Sequence, residues 1–79
     1  MEKIEIINKL TVIFKTVFND DSLVLTNELT ANDVEQWDSL SHMKLINEIE
    51  NTFSIKFKLR DLNKMRNVGE MIDIIFSKL

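Results

Sequence analysis

Apolar side chains recur every three or four residues in three separate stretches of this chain, and that spacing limits what it can fold into. Residues 4 to 18 carry Ile6, Ile7, Leu10, Ile13, Phe14, Val17 and Phe18, a broad stripe along one side of a helix. A second stripe runs through His42, Leu45, Ile46, Ile49 and Phe53, which fall within about 100° of one another on a helix of 3.6 residues per turn. A third runs through Val68, Met71, Ile72, Ile75 and Leu79. Helices this short, apolar on one side, are marginal in isolation and must bury their stripes against each other. With 79 residues and no cysteine, the chain has no disulfide to brace it and can build one core at most.

The boundaries follow from capping chemistry. The second helix is predicted to start at Asp38 or Ser39 and to run to about Thr52. A short third helix is predicted over 59 to 65, with Leu59, Leu62 and Met65 inward. Asn67 is a good N-cap for the last helix, with Glu70 three residues on to complete a capping-box-like pair. "FSIKFKL" (53 to 59) alternates, but a single strand would have no partner. The expected fold is all-α: a small four-helix bundle of three main helices and one short one, in one domain spanning 1–79. Residues 19 to 38 have weak periodicity, through Leu23, Val24, Leu25, Leu29 and Val34, and read as a long ordered loop. Trp37 is expected to anchor that loop on the bundle. Loops of this length in so small a domain are uncommon and often functional.

Composition excludes several activities. Without cysteine there is no thiolate nucleophile and no cysteine-based zinc site. The one histidine, His42, lies on the core stripe and is read as a partly buried packing residue, so a Ser-His-Asp relay is hard to assemble. The one glycine, Gly69, rules out a glycine-rich phosphate loop. A net charge of −3 argues against nucleic acid as a partner. No apolar run reaches membrane-spanning length and the first residues mix charges, so neither a signal peptide nor a membrane span is expected, and a cytoplasmic location is. Charge is uneven: residues 19 to 38 hold six acids and no base, while residues 56 to 66 hold Lys56, Lys58, Arg60, Lys64 and Arg66 against Asp61. These are either two solvated surfaces or a bipolar face that steers partners.

One stretch resists a packing explanation. Trp37-Asp38-Ser39-Leu40 stands where the acidic loop gives way to the second helix. Leu40 projects opposite the core stripe, beside Lys44 and Asn47, and Met43 lies at the boundary, as peripheral core or as part of an apolar contact. Either Asp38 and Ser39 are ordinary helix-start residues beside a stray exposed leucine, or the serine is a point of attachment.

Asp38-Ser39-Leu40 at a helix start, Glu50 near that helix's end, Phe53 fourteen residues beyond Ser39, and Val68-Gly69 opening "NVGEMIDII" fifteen beyond that phenylalanine together resemble the acyl carrier proteins and related peptidyl carrier domains. The resemblance spans nearly the whole chain. It implies a 4′-phosphopantetheine arm on Ser39, placed there by a phosphopantetheinyl transferase drawing on coenzyme A and magnesium, with Asp38 and Leu40 flanking the site. It implies a carrier rather than an enzyme, monomeric, charged by an acyl- or aminoacyl-loading ligase and serving downstream synthases or transferases. Met43, Lys44, Asn47 and Arg60 become partner-facing residues, and Ile46, Leu62 and Met65 candidate liners of an acyl pocket between the second and third helices. Glu50 is read as surface.

The match is not uniform. Ser41 and Lys44 occupy second-helix positions that are usually acidic in carriers of bacterial fatty-acid synthesis. Lys56, Leu59 and Arg60 replace acids further on, and Gln36-Trp37 stands where that branch usually has a glycine. Basic enzyme faces would meet like charge here. "WDSL" is more usual in carriers of polyketide, nonribosomal peptide, surface-polysaccharide or D-alanyl transfer systems, so specialised partners are expected. Fatty acyl, hydroxyacyl and aminoacyl cargo all stay open. The rival readings are an unmodified interaction module docking through Leu40 and Met43, and a small hydrolase using Ser39. The last lacks a base and an oxyanion-hole motif.

Overall fold

A computed structural model describes residues 1–79. Lys3–Phe18 form the first helix, α1. It ends where Asn19 turns left-handed, with a φ of 51°, a region asparagine tolerates better than most residues. The Asp20 N–H then reaches back to the Lys15 carbonyl at 3.1 Å and closes the helix. Ile6, Leu10 and Phe14 are wholly buried, while Ile7 and Val17 sit half-buried at the edges of the stripe.

Ser39–Phe53 form α2, Leu59–Asn63 form α3 and Val68–Lys78 form α4. There is no strand; the chain leaves α2 through a left-handed Ser54, at φ 56°, and reaches α3 as irregular backbone. α1 packs against both α2 and α4. Leu45 and Ile49 of α2 meet Val68, Met71 and Ile75 of α4 in the cluster around α1. Much of this core is isoleucine and valine, which disfavour a helix by up to about 0.7 kcal/mol per residue. Burying such a side chain contributes about 1.5–3 kcal/mol, so packing decides the helices. The molecule is the small four-helix bundle that the periodicity predicts.

The loop from 19 to 38 is tied down throughout. Leu23, Leu25 and Leu29 are half-buried against the core, and Val34 and Trp37 are buried in it. Ala31–Asp33 make one 3₁₀ turn, which opens with the Thr30 N–H donating to Asp33 Oδ2 at 3.0 Å. Two carbonyls of the loop serve the start of α4: Leu29 accepts from the Val68 N–H and Asn27 from the Gly69 N–H, each at 3.0 Å. These are donors that a helix start otherwise leaves unpaired. A Cβ on Gly69 would stand 3.1 Å from both Asn27 Cβ and its carbonyl oxygen, so the single glycine permits this close approach.

Five expectations change. Leu79 is 48% exposed rather than buried, because α4 ends at Lys78. Asn67 caps α4, its Oδ1 accepting the Glu70 N–H at 2.8 Å, but the Glu70 carboxylate does not return the bond; it pairs with Arg66 at 3.2 Å. Leu59 is 76% exposed. α3 has only five residues, so Met65 lies beyond its end. Leu62 and Met65 are half-buried, and no α3 side chain is fully buried. Glu50 is not mere surface: half-buried, it accepts the Phe57 N–H at 2.9 Å and pins the segment entering α3. Met43, left open by the sequence, is 57% exposed. α3 is therefore held largely by polar ties. Asp61 Oδ2 accepts the Lys58 N–H and pairs with Lys78 Nζ, both at 2.8 Å.

Candidate functional site

The start of α2 is built around two serines with opposite fates. Asp38 is the N-cap; its Oδ1 accepts the Ser41 N–H at 2.9 Å. In return the Ser41 hydroxyl accepts the Asp38 N–H at 2.9 Å and donates to the Gln36 carbonyl at 2.8 Å. Ser41 is thus fully engaged in a reciprocal capping box. The Ser41 N–H also holds the Asp38 carboxyl below the usual aspartate range, so a negative charge stays beside the helix start. Ser39 is the first residue of α2; it is exposed, and its hydroxyl makes no hydrogen bond within the chain. One serine locks the turn. The other is free.

Behind this turn lies an aromatic anchor. The Trp37 ring stands edge-on to Phe14, with centroids 5.3 Å apart, and tilted against Phe18 at 5.8 Å. Its Nε1–H donates to His42 Nδ1 at 2.9 Å, and the two rings stack 19° from parallel. His42, one turn into α2, is thereby a structural acceptor, which fits the packing role expected of it. The His42 Nδ1 is occupied by the indole, and no side chain hydrogen-bonds the Ser39 hydroxyl. On the outer face of α2, Leu40 is 80% exposed, with Met43, Lys44 and Asn47 exposed around it. Arg60 is exposed on α3. Ile46 is buried, but apart from the main core cluster. Two surface concavities lie elsewhere. One of about 440 Å³ adjoins Lys3, Asn27 and Asp73, and one of about 210 Å³ adjoins Thr16 and Lys44. Neither is lined by Ile46, Leu62 or Met65.

The phosphopantetheine attachment site family matches residues 8–75 of this chain, a span that places Ser39 and its capping box inside the matched region. The chain belongs to the acyl carrier protein family. Similarity to individual members agrees. The solution NMR structure of the holo acyl carrier protein from Geobacter metallireducens superposes with a TM-score of 0.87 at 51% identity, covering 91% of this chain and 83% of that one. The acyl carrier protein of Lactobacillus johnsonii is 29% identical over 77 residues, 98% of this chain and 96% of that one. Members of this family are non-catalytic carriers with covalently attached phosphopantetheine. No helix here is long and apolar enough to cross a membrane.

The structure places Asp38 and Ser39 at the start of α2 and Leu40 outward, as the spacing predicts, but two supports of that turn go unread in the sequence. Ser41 was noticed only as a departure in charge, although a polar residue three beyond an aspartate N-cap is itself a capping-box signal. The Trp37–His42 bond had no periodic signature, because Trp37 lies outside the helix that carries its partner.

Burial of His42 makes stability depend on pH. Burial holds His42 below the ordinary histidine value of 6.5, and its Nδ1 must be unprotonated to accept the indole N–H. Between the folded value and 6.5 the unfolded chain binds the extra proton more readily. The contribution is therefore complete above about pH 6.5 and is lost as pH falls through the lower folded value. His42 is the only histidine. The urea midpoint of the wild type is expected to drop on going from about pH 7 to about pH 5, where carboxylates stay ionised, and the drop should vanish in His42→Leu. A wild-type midpoint that stays flat over this interval would show that the pair does not titrate on unfolding.

Proposed function

We propose that residues 1–79 work as one carrier domain and that Ser39 bears the phosphopantetheine. The observation that carries this reading is the contrast at the α2 start, where the Ser41 hydroxyl is bonded on both sides and the Ser39 hydroxyl two residues earlier is exposed and bonds nothing. The site suits the group: an unengaged primary hydroxyl stands at the first position of a 15-residue helix, where backbone N–H groups and the helix dipole favour a phosphodiester. Once attached, the arm supplies a flexible tether ending in a thiol, on which acyl or aminoacyl cargo is held as a thioester. The protein's part is positional. The Asp38–Ser41 capping box fixes the backbone on either side of Ser39, and Trp37 holds that turn to the core.

A phosphopantetheinyl transferase is then the first partner, meeting Asp38, Ser39 and Leu40. A loading ligase and later synthases or transferases follow, docking on Leu40, Met43, Lys44, Asn47 and Arg60. The exposed face of α2 carries Lys44 beside Leu40, Met43 and Asn47, between the exposed acids Asp38 and Glu48; the cation at its centre supports partners of a specialised pathway over the basic enzymes of fatty-acid synthesis. Ile46, Leu62 and Met65 are the candidate contacts for apolar cargo. Ile46 is buried apart from the main cluster, and Leu62 and Met65 are half-buried, which suits side chains that give way to cargo on loading. We place the carrier in the cytoplasm as a monomer.

The test is intact mass. Co-expression with a broad-specificity phosphopantetheinyl transferase is expected to add one fixed increment per chain, mapped by fragmentation to Ser39. A chain that never gains the increment, with several such transferases, would favour an unmodified interaction module instead.

A further inference from the structure

The basic segment after α2 has a form that arm attachment does not use. Lys56, Lys58, Leu59, Arg60 and Lys64 are all exposed, and Leu59, at 76%, is nearly as exposed as Leu40. None of these four cations takes part in an ion pair, whereas Arg66 is paired with Glu70. The only acid between residues 56 and 66 is Asp61, and its carboxylate is occupied by the Lys58 N–H and by Lys78 Nζ. The segment thus presents four cations outside any ion pair around one outward leucine, although Arg60 acts on Asp61 through space. An exposed leucine alone means little; one flanked in sequence by three unpaired cations, on a helix latched to α4, is a shaped feature.

We infer that residues 56–64 dock the enzyme that loads the arm, and that this enzyme meets them with a carboxylate-rich face around an apolar socket for Leu59. The inference rests on the carrier function proposed above, since cargo reaches the arm only through a loading enzyme. The Asp61–Lys78 pair holds α3 before the partner arrives, so little ordering remains to be done on contact. A polyanion such as nucleic acid or an acidic membrane fits less well. The chain is −3 overall and carries six acids with no base over residues 19 to 38, which such a surface repels. The acidic loop of a second copy has the right sign. A two-fold dimer would pair each basic segment with the other copy's loop, so self-association is one of the outcomes the experiment separates.

Three holo proteins decide it: wild type, the triple variant Lys56→Glu/Lys58→Glu/Arg60→Glu, and Leu59→Ser. All four side chains are exposed, and unchanged thermal unfolding confirms the fold of each variant. Thioester formation is measured with the loading activity purified from the source cell on wild-type holo protein. The triple variant is expected to lose about tenfold or more in kcat/KM, through KM with kcat retained, and wild-type loading should fall with added salt. Leu59→Ser should lose about threefold with the salt dependence intact. Loading of the triple variant within about twofold of wild type would overturn the inference. So would wild-type binding to phosphatidylglycerol vesicles, or concentration-dependent self-association, that the triple variant loses; these would assign the segment to a membrane or to a second copy. A wild-type chain that acquires no arm would instead fail at the earlier step and sink the carrier function itself.

Discussion

Ser39→Ala is expected to abolish the phosphopantetheine mass increment completely and to leave the bundle as stable as before. The Ser39 hydroxyl bonds nothing in the chain and its side chain is exposed. Alanine at the first helical position sacrifices no contact, and a change within about 0.5 kcal/mol is expected. Ser41→Ala should behave in the opposite way. It removes the acceptor of the Asp38 N–H and the donor to the Gln36 carbonyl, costing about 0.5–2 kcal/mol in helix capping, while the increment still forms. Two serines two residues apart thus separate attachment from stability. Intact mass and urea unfolding on both variants check this. An increment surviving in Ser39→Ala would remove Ser39 as the site, and its loss in a folded Ser41→Ala would point to the neighbouring hydroxyl.

Trp37→Ala is expected to cost about 3–5 kcal/mol, the range for truncating a buried large aromatic. Trp37 is 8% exposed and packs on Phe14 and Phe18. A domain of 79 residues has only about 4–12 kcal/mol in all, so the variant should lose at least about a quarter of its stability. Two further consequences separate anchoring from simple cavity formation. The long loop loses its largest buried side chain one residue before the Asp38 cap, so amide exchange should accelerate through residues 19–38 and the first turn of α2 before it does in α4. Trp37→Phe keeps the packing surface but gives His42 Nδ1 no donor, and should cost about 1 kcal/mol while keeping the pH dependence that burial of His42 causes. Circular dichroism in urea is the measurement, because the only tryptophan is the residue removed. A loss below about 1 kcal/mol in Trp37→Ala would show that the loop holds without its anchor.

Most of the bundle can be read in the order of residues, because each main helix is written by local rules. Ile6, Leu10 and Phe14, or Val68, Met71 and Ile75, lie on one side of a helix whatever surrounds them, and Asp38 and Asn67 cap by bonds to their own next turn. Failures gather where local rules are weak. Five residues of α3 are too few for periodicity to choose a face: the spacing predicts Leu59 inside, and it lies outside. Glu50 binds the Phe57 N–H seven residues away, and Asp61 pairs with Lys78 on another helix. Neither partner is marked by spacing, since a turn and a chain reversal intervene.

The residues alone determined the all-helical class, the free serine at a helix start and the leucine beside it facing away from the core. Those depend on a helical period and a cap, both settled within a turn of backbone. The indole packed on Phe14 and Phe18, and the cationic segment turned outward with its one acid tied to α4, were decided by tertiary structure. Each depends on where separate elements come to rest against one another, and burial against a shared core, not local sequence, sets those positions.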